Sequence, residues 1–416
     1  MIWYPDLDRP RLRPIEAIPI EHEGETLIGL HDPSGLAKSG LAVSPPMFFA
    51  LTLMNGLTSI DQITAAFKQQ FDVELPEGTL REFVLQLDEG CLLESMHFRQ
   101  HREERLAAYR ALPARPMTHG GRGYPTDPEE FTEAFNSHFT AEGGPGSPPE
   151  PESGPEIRAL IAPHIDFERG AINYGWAYQA LGSGATPETA VILGTSHQPC
   201  RHPLTLTRLG FETPLGTLEP ETGFIEALAE RLDYDPFEDE LIHVMEHSVE
   251  FQAVALRHLF PDASEMRIVP ILCGSLADDP TEDGVARGDR FERAIGALIE
   301  TIASWDRRVC VIAGADLAHV GPQFGDEQPV SEEQMAEVAS LDREALNLAA
   351  AGDAEGFLES FAPTHNARRV CSVACMYTAL RCLPSLEVER GRVLHYAQSV
   401  HPSQLLAVTH ASVAFP

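Results

Sequence analysis

Four segments between residues 157 and 319 share one pattern, a short and nearly unbroken apolar run that ends in polar residues. They are IRALIAPHID (157–166), TAVILGTSH (189–197), MRIVPILCG (266–274) and RVCVIAGADLAH (308–319). Val/Ile/Leu runs of this length fit strands buried on both faces, as in a parallel or mixed sheet covered by helices. Helical patterns such as ETGFIEALAERL and FERAIGALIETIAS lie between them. The alternation predicts an α/β domain over residues 157–416, with a central mixed or parallel sheet flanked by helices.

The first hundred residues carry a different pattern. SIDQITAAFKQQF offers Ser59 as an N-cap and an apolar stripe at Ile60, Ile63, Ala66 and Phe67, the spacing of a buried helix face. TLREFVLQLDEGCLLES repeats it with Leu80, Phe83, Val84 and Leu87, and Gly90 stops the helix. Helix, turn, helix and a short apolar strand predict a small, mostly helical winged-helix module over 1–108. Its "MNGLTSIDQI…LDEGCLLES" texture resembles the PqqD-like peptide-recognition domains, which implies a docking role. Residues 109–156 are crowded with Gly, Pro, Ser and acids, as in MTHGGRGYPTDPEE and TAEGGPGSPPEPESGPE. That composition reads as a solvated linker, with FTEAFNSHF forming one short amphipathic helix inside it.

Composition narrows the function. A length of 416 residues favours two domains. The 30 Lys+Arg against 63 Asp+Glu give a net charge of -33, a field that repels phosphate backbones and argues against nucleic-acid binding. Seven cysteines without framework spacing do not suggest a secreted disulfide scaffold. The N-terminal stretch lacks the apolar core of a signal peptide, and no apolar run is long enough to span a membrane. The expected location is the cytoplasm.

The candidate chemistry sits at the strand ends, where open α/β sheets bind their ligands. Three of the four runs deliver histidine or aspartate there: His164 with Asp166, His197, and Asp316 with His319. Convergence of residues so distant in sequence points to one crevice, and imidazoles make a metal its natural occupant. In HNARRVCSVACMYTALRCL, Cys371, Cys375 and Cys382 share one helical stripe. Cys375 and Cys382 read as core residues. Cys371 follows Arg368 and Arg369 near a helix start, a setting that favours thiolate, so spacing leaves it open between ligand and core. MEHSVEFQ places Glu246, His247 and Glu250 together. They fit either a solvated helix start or groups that orient ligands and move protons.

APHIDFERG, ILGTSHQP, EHSVEFQ, GADLAHVG, NARRVC, HYAQS and VTHASVAF occur in the order found in the Memo-like proteins, and the resemblance covers about 157–416. It implies the fold of class III extradiol dioxygenases. The added N-terminal module is similar to the long bacterial form, the AmmeMemoRadiSam system B proteins, which implies AMMECR-type and radical-SAM partners. The family's metal trio falls on His164, His197 and Cys371, and its further polar pair on Asp316 and His319, with His247 in the matching EHS motif; these three are expected to be catalytic. Where the family often has APHAGYxYSG, this chain has Phe167 for a tyrosine, expected to remove a hydroxyl from the pocket rim, and adds Asp166 and Glu168.

Three functions compete on these grounds. A metal-dependent oxidoreductase would use two imidazoles and a thiolate on iron or copper, although thiolate in place of the dioxygenases' carboxylate makes plain ring cleavage the lesser form. A non-enzymatic module would bind a peptide or protein in the same pocket. A zinc hydrolase is the third, with no H-E-x-x-H segment or G-x-S-x-G elbow to support it.

Overall fold

The structure, a computed structural model, describes residues 4–22, 24–38, 40–261, 266–277 and 287–416. It divides into two compact units, Met1–Ala111 and Leu112–Pro416.

The first unit begins with a three-stranded antiparallel sheet, β1 (Glu16–His22), β2 (Glu25–His31) and β3 (Leu41–Val43), in the order β1-β2-β3. Four helices follow: α1 (Pro45–Thr52), α2 (Ile60–Phe71), α3 (Thr79–Glu89) and α4 (Met96–Arg110). Ser59 and Gln62 form a reciprocal capping box at the start of α2, and Ile60, Ile63 and Phe67 are buried with Leu80, Phe83, Val84 and Leu87 of α3. The helices stand where the periodicity predicts them. The sheet, however, precedes the helices, and among the described residues the apolar segment after α3 forms an isolated bridge from Leu93 to Leu12 in place of a strand. This order differs from the helix-helix-strand arrangement predicted for a winged helix. β1 gave no signal because all seven of its residues are exposed, which leaves no alternation to read.

The second unit starts with α5 (Pro128–Thr140), β4 (Ala159–Ala162), α6 (Phe167–Gly182), β5 (Thr189–Thr195) and β6 (Leu204–Leu206). A small hairpin, β7 (Phe211–Thr213) and β8 (Gly216–Leu218), leads to α7 (Thr222–Arg231), α8 (Ser248–Leu259), β9 (Arg267–Cys273) and α9 (Asp289–Ala303). Then come β10 (Val309–Gly314), β11 (Asp316–Val320), α10 (Glu332–Ala350), α11 (Ala354–Glu359), α12 (Val373–Cys382), β12 (Arg392–Val400) and β13 (Ala407–Phe415). Eight strands make one sheet in the order β11-β13-β4-β10-β5-β9-β6, with β12 also paired to β13. The central pairs β4/β10, β10/β5 and β5/β9 are parallel, and the outer pairs are antiparallel. This is the predicted mixed α/β sheet. All residues of β4, β5 and β10 are buried, as unbroken apolar runs require. One core lies on the α7, α9, α11 and α12 face and a second on the α5, α6 and α8 face.

The segment read as a linker is part of this unit. Phe131, Phe135 and Phe139 of α5 are each at most 1% exposed, and Tyr124 and Arg115 are buried ahead of them. Three phenylalanines at i, i+4 and i+8 form the inner face of a packed helix. The Gly/Pro density around them marks turns on a folded surface. The boundary between units falls at residue 111, so the second unit begins well before residue 157.

Two glycines shape the ground on which the site stands. Gly194 of β5 and Gly314 of β10 are paired in register. A Cβ at Gly194 would come within 2.5 Å of Ser248 Oγ, and one at Gly314 within 2.5 Å of the Ser248 carbonyl oxygen. Only glycine lets the start of α8 settle this closely on the strand ends.

Candidate metal centre

His164 follows β4, His197 follows β5, and Asp316 opens β11 just beyond β10, so all three stand at the carboxyl ends of parallel strands. The start of α8 brings His247 to the same place. Ring centroids are 5.1 Å apart for His164 and His197, 5.3 Å for His164 and His247, and 4.7 Å for His197 and His247. One nitrogen from each ring lies within 4.8 Å of the others, a grouping able to hold a metal ion.

Two of the rings are anchored through Nδ1. His164 Nδ1 donates to the Gly314 carbonyl at 2.8 Å, which leaves Nε2 facing Cys371 and Asp316. His197 Nδ1 lies 3.0 Å from Glu246 Oε1, and His247 Nδ1 lies 3.3 Å from the same oxygen. Glu246 also accepts from the backbone N–H groups of His197, His247 and Ser248. Orienting an imidazole by a carbonyl or carboxylate on Nδ1 is the usual arrangement behind metal-binding histidines.

Cys371 approaches from the turn before α12, with Sγ 3.5 Å from His164 Nε2 and 3.3 Å from Ser372 Oγ. Burial opposes its thiolate, yet the charge and hydrogen bond of His164, with His197 and His319 beyond, hold the thiol well below its ordinary range. The expected helpers, Arg368 and Arg369, point elsewhere, to Asp342 at 3.0 Å and Asp326 at 2.5 Å. Cys371 also precedes α12 and does not share its stripe, whereas Cys375 and Cys382 are fully buried on it.

Asp316 is 2% exposed and accepts from the His164 backbone N–H at 3.0 Å, with its other oxygen 3.7 Å from His164 Nε2. Burial opposes its charge, but His164, His410 and His319 keep its carboxyl below the usual range. His319 is half-buried at the edge of the site, its Nδ1 3.1 Å from the Leu317 carbonyl and its ring against Phe324. Asp166 does not join them: it caps α6 and pairs with Arg169. Phe167 is buried in an aromatic cluster with Tyr124, Phe135, Tyr174 and Phe251, on the wall of a cleft beside α6.

The electrostatics suit a cation. Burial works against charge on His164 and His197, yet Asp316, Cys371 and Glu246 raise them to about 9 and about 11. Those two protons stand where anionic neighbours call for positive charge. His247 is pushed down to about 3, by burial first and then, against the pull of Glu246, by His164, His197 and His119. It therefore stays neutral, the form that ligates. Read from the sequence as an acid/base group, it stands here as the third imidazole of the cluster.

The sequence reading missed the strap ahead of α5. Arg115 is fully buried and forms a salt bridge with the fully buried Glu250, which also accepts from Thr118, the His119 backbone and Tyr124. Glu246 and Glu250 thus serve different partners. An arginine and a tyrosine inside an otherwise small-residue stretch were the available signal. A cleft of about 1310 Å³ opens beside α6, lined by Tyr124, Phe135, Asp166, Arg169 and Ser399 among others, but none of the three imidazoles lines it. No helix among the described residues is long and apolar enough to cross a membrane.

Comparison with known proteins accords with this architecture. The chain is 26% identical over 368 residues to a MEMO1 family protein of Aquifex aeolicus, covering 88% of this chain and 90% of the relative. A MEMO1 family protein of Thermus thermophilus is 27% identical over 360 residues, covering 85% and 98%. One from Methanopyrus kandleri is 28% identical over 300 residues, covering 71% and 96%. The first two overlaps are longer than the segment 115–415 and so extend into the N-terminal unit. A family model described as Memo-like protein matches that segment, which opens at the buried Arg115. The chain belongs to the Memo-like family.

Proposed function

We propose that this chain is a metal-dependent redox enzyme that holds one iron or copper ion on His164, His197 and Cys371, with His247 as a further donor. The observation that carries the reading is the donor set itself: three imidazoles, His164 and His197 anchored through Nδ1, and a stabilised thiolate, gathered at the carboxyl ends of the central strands. Imidazole and thiolate together favour copper or iron over the hard cations, and such an ion supplies one-electron chemistry at positions open to O₂ or substrate. Asp316 keeps negative charge beside His164 and fixes its backbone. His319, at the half-buried edge, is placed to pass protons between solvent and Asp316.

The test is metal analysis of protein purified without oxygen. The expected result is about one iron or copper per chain, lost in His164→Ala and His197→Ala. Zinc alone would favour hydrolysis, and a stably empty site would favour peptide binding; either overturns the redox reading.

A second role is proposed for the N-terminal unit, a docking module for a peptide or for AMMECR-type and radical-SAM partners. The observation favouring it is β1, which among the described residues pairs with β2 on one edge only and exposes Ile18 and Ile20. Strand addition uses such an edge, since main-chain hydrogen bonds give affinity with little demand on side chains. Loss of partner co-purification in an Ile18→Lys/Ile20→Lys variant, with metal retained, is the expected result; unchanged co-purification excludes the edge.

A further inference from the structure

The turn that presents Glu246 and His247 is held by residues 115–119. Four consecutive carbonyls are engaged there. Arg115 Nε donates to His243 at 2.9 Å, and Arg115 Nη2 donates to Val244 at 3.0 Å and to Glu246 at 2.8 Å. His119 Nε2 donates to the remaining carbonyl, that of Met245, at 3.0 Å. The fourth and fifth N–H groups of Arg115 go to the Pro116 carbonyl at 2.9 Å and to Glu250. All five donors of the guanidinium are therefore used on the strap, the turn and the first turn of α8.

These carbonyls belong to the end of a single 3-10 turn, Glu240–Val244, and to the residues that follow it. A turn this short cannot bond its own last carbonyls. Left alone, the carbonyls of His243 and Glu246 would be unsatisfied beside a buried site, and the turn would relax to pair them otherwise. Arg115 removes that freedom. Glu250, in the first turn of α8, locks the same strap by accepting from Thr118 Oγ1 at 3.0 Å, the His119 backbone at 3.0 Å and Tyr124 Oη at 2.5 Å. The His119 ring then stands 5.5 Å from the His247 ring. The position of His247, and of the carboxylate that orients His197, is thus written in the strap.

We infer that Arg115 is a positioning residue of the metal centre, acting through the carbonyls of residues 243, 244 and 246 and through Glu250 to set Glu246 and His247. This rests on the metal reading above, and it is separable from it. Stability alone would not require the strap to converge on the four residues immediately before His247. A lysine at position 115 keeps the charge but replaces the five-donor fork by a point donor, so the turn loses its template while Glu250 keeps a cation.

The test uses the full chain, with Co(II) as the metal probe and ¹⁵N-labelled histidine as a metal-free readout. Arg115→Lys is expected to weaken Co(II) binding by roughly 10–100-fold and to change the visible band of the bound ion. In a Glu246→Gln/His247→Ala background the same substitution should add less than about twofold, because both of its routes to the metal are already gone. Losses that multiply in the combined variant would mark Arg115 as a general support of the fold and overturn the inference. If Arg115→Lys does not fold, Thr118→Val carries the test, since Thr118 Oγ1 lies 2.9 Å from the Val244 carbonyl as well as against Glu250. Weaker Co(II) binding with displaced ring signals of His247 supports the inference, and unchanged values overturn it. Should the unaltered protein take up no Co(II), the metal reading fails by itself. The ring signals of His197 and His247 in Arg115→Lys then decide the inference, displaced for it and unmoved against it.

Discussion

Glu246 grips His197 twice, accepting from its backbone N–H at 2.9 Å and standing 3.0 Å from its ring Nδ1. The same carboxylate accepts from the backbone N–H groups of His247 and Ser248. One 4% exposed side chain therefore sets two imidazoles and the start of α8.

Glu246→Gln keeps the shape and removes half of that function. A glutamine has one acceptor oxygen, and its NH₂ group would face a donor. The expected outcome is a loss of about 1–3 kcal/mol in stability and roughly 10–100-fold weaker metal binding. Thermal melts and metal titration check both. Wild-type affinity in the variant would show that His197 needs no orienting carboxylate.

Cys371→Ser tests the thiolate. Serine keeps a small polar group but not a soft donor. Titrated with Cu(II), the unaltered protein should develop an intense sulfur-to-copper absorption band that the variant lacks, while His164, His197 and His247 still retain the ion weakly. A band of equal intensity in both proteins would remove Cys371 from the ligand set.

Acid should destabilise the second unit through two buried histidines that are not members of the imidazole cluster. Burial lowers His138 to about 4, and burial likewise lowers His243 to about 4. Each has a buried Nδ1 without a hydrogen-bond partner. The folded state refuses the proton that the unfolded chain accepts near pH 6.5. Stability from this source is thus full above pH 6.5 and is lost as pH falls from 6.5 to about 4, each group adding at most about 1.4 kcal/mol per pH unit. His138→Phe, beside the Phe135 ring at 5.1 Å, should flatten that limb by one proton in urea titrations across pH. An unchanged slope would place the acid sensitivity elsewhere.

The legible part of this protein was the part whose signal is local. Unbroken runs such as AVILGT announced strands, and the polar residues directly behind them placed His164, His197 and Asp316 at one crevice. What stayed hidden depends on long-range partners. Glu250 looks like any solvated acid at a helix start until Arg115, 135 positions earlier, is seen against it. Arg368 and Arg369 look like support for a thiolate until Asp342 and Asp326 are found holding them. Segment 109–156 was misread because Gly and Pro density reports turns without saying whether those turns are packed.

That last point yields a sharp prediction about truncation. A chain beginning at residue 112 keeps Arg115, Tyr124 and all of α5, and both cores of the second unit lie within it. It should fold and bind metal as the full protein does. A chain beginning near residue 150 loses the buried Phe131, Phe135 and Phe139, and with them the cover of Phe167. It also leaves Glu250 a buried carboxylate without its arginine, tyrosine and threonine partners. Removing one member of a buried pair costs about 3–5 kcal/mol, and each large aromatic a similar amount, against a typical domain stability of about 5–15 kcal/mol. The shorter chain should therefore precipitate or melt without cooperativity, as circular dichroism on heating would show. A soluble, metal-binding chain from residue 150 would mean that α5 and its strap are ornaments of the fold, and the role assigned to Arg115 would fall with them.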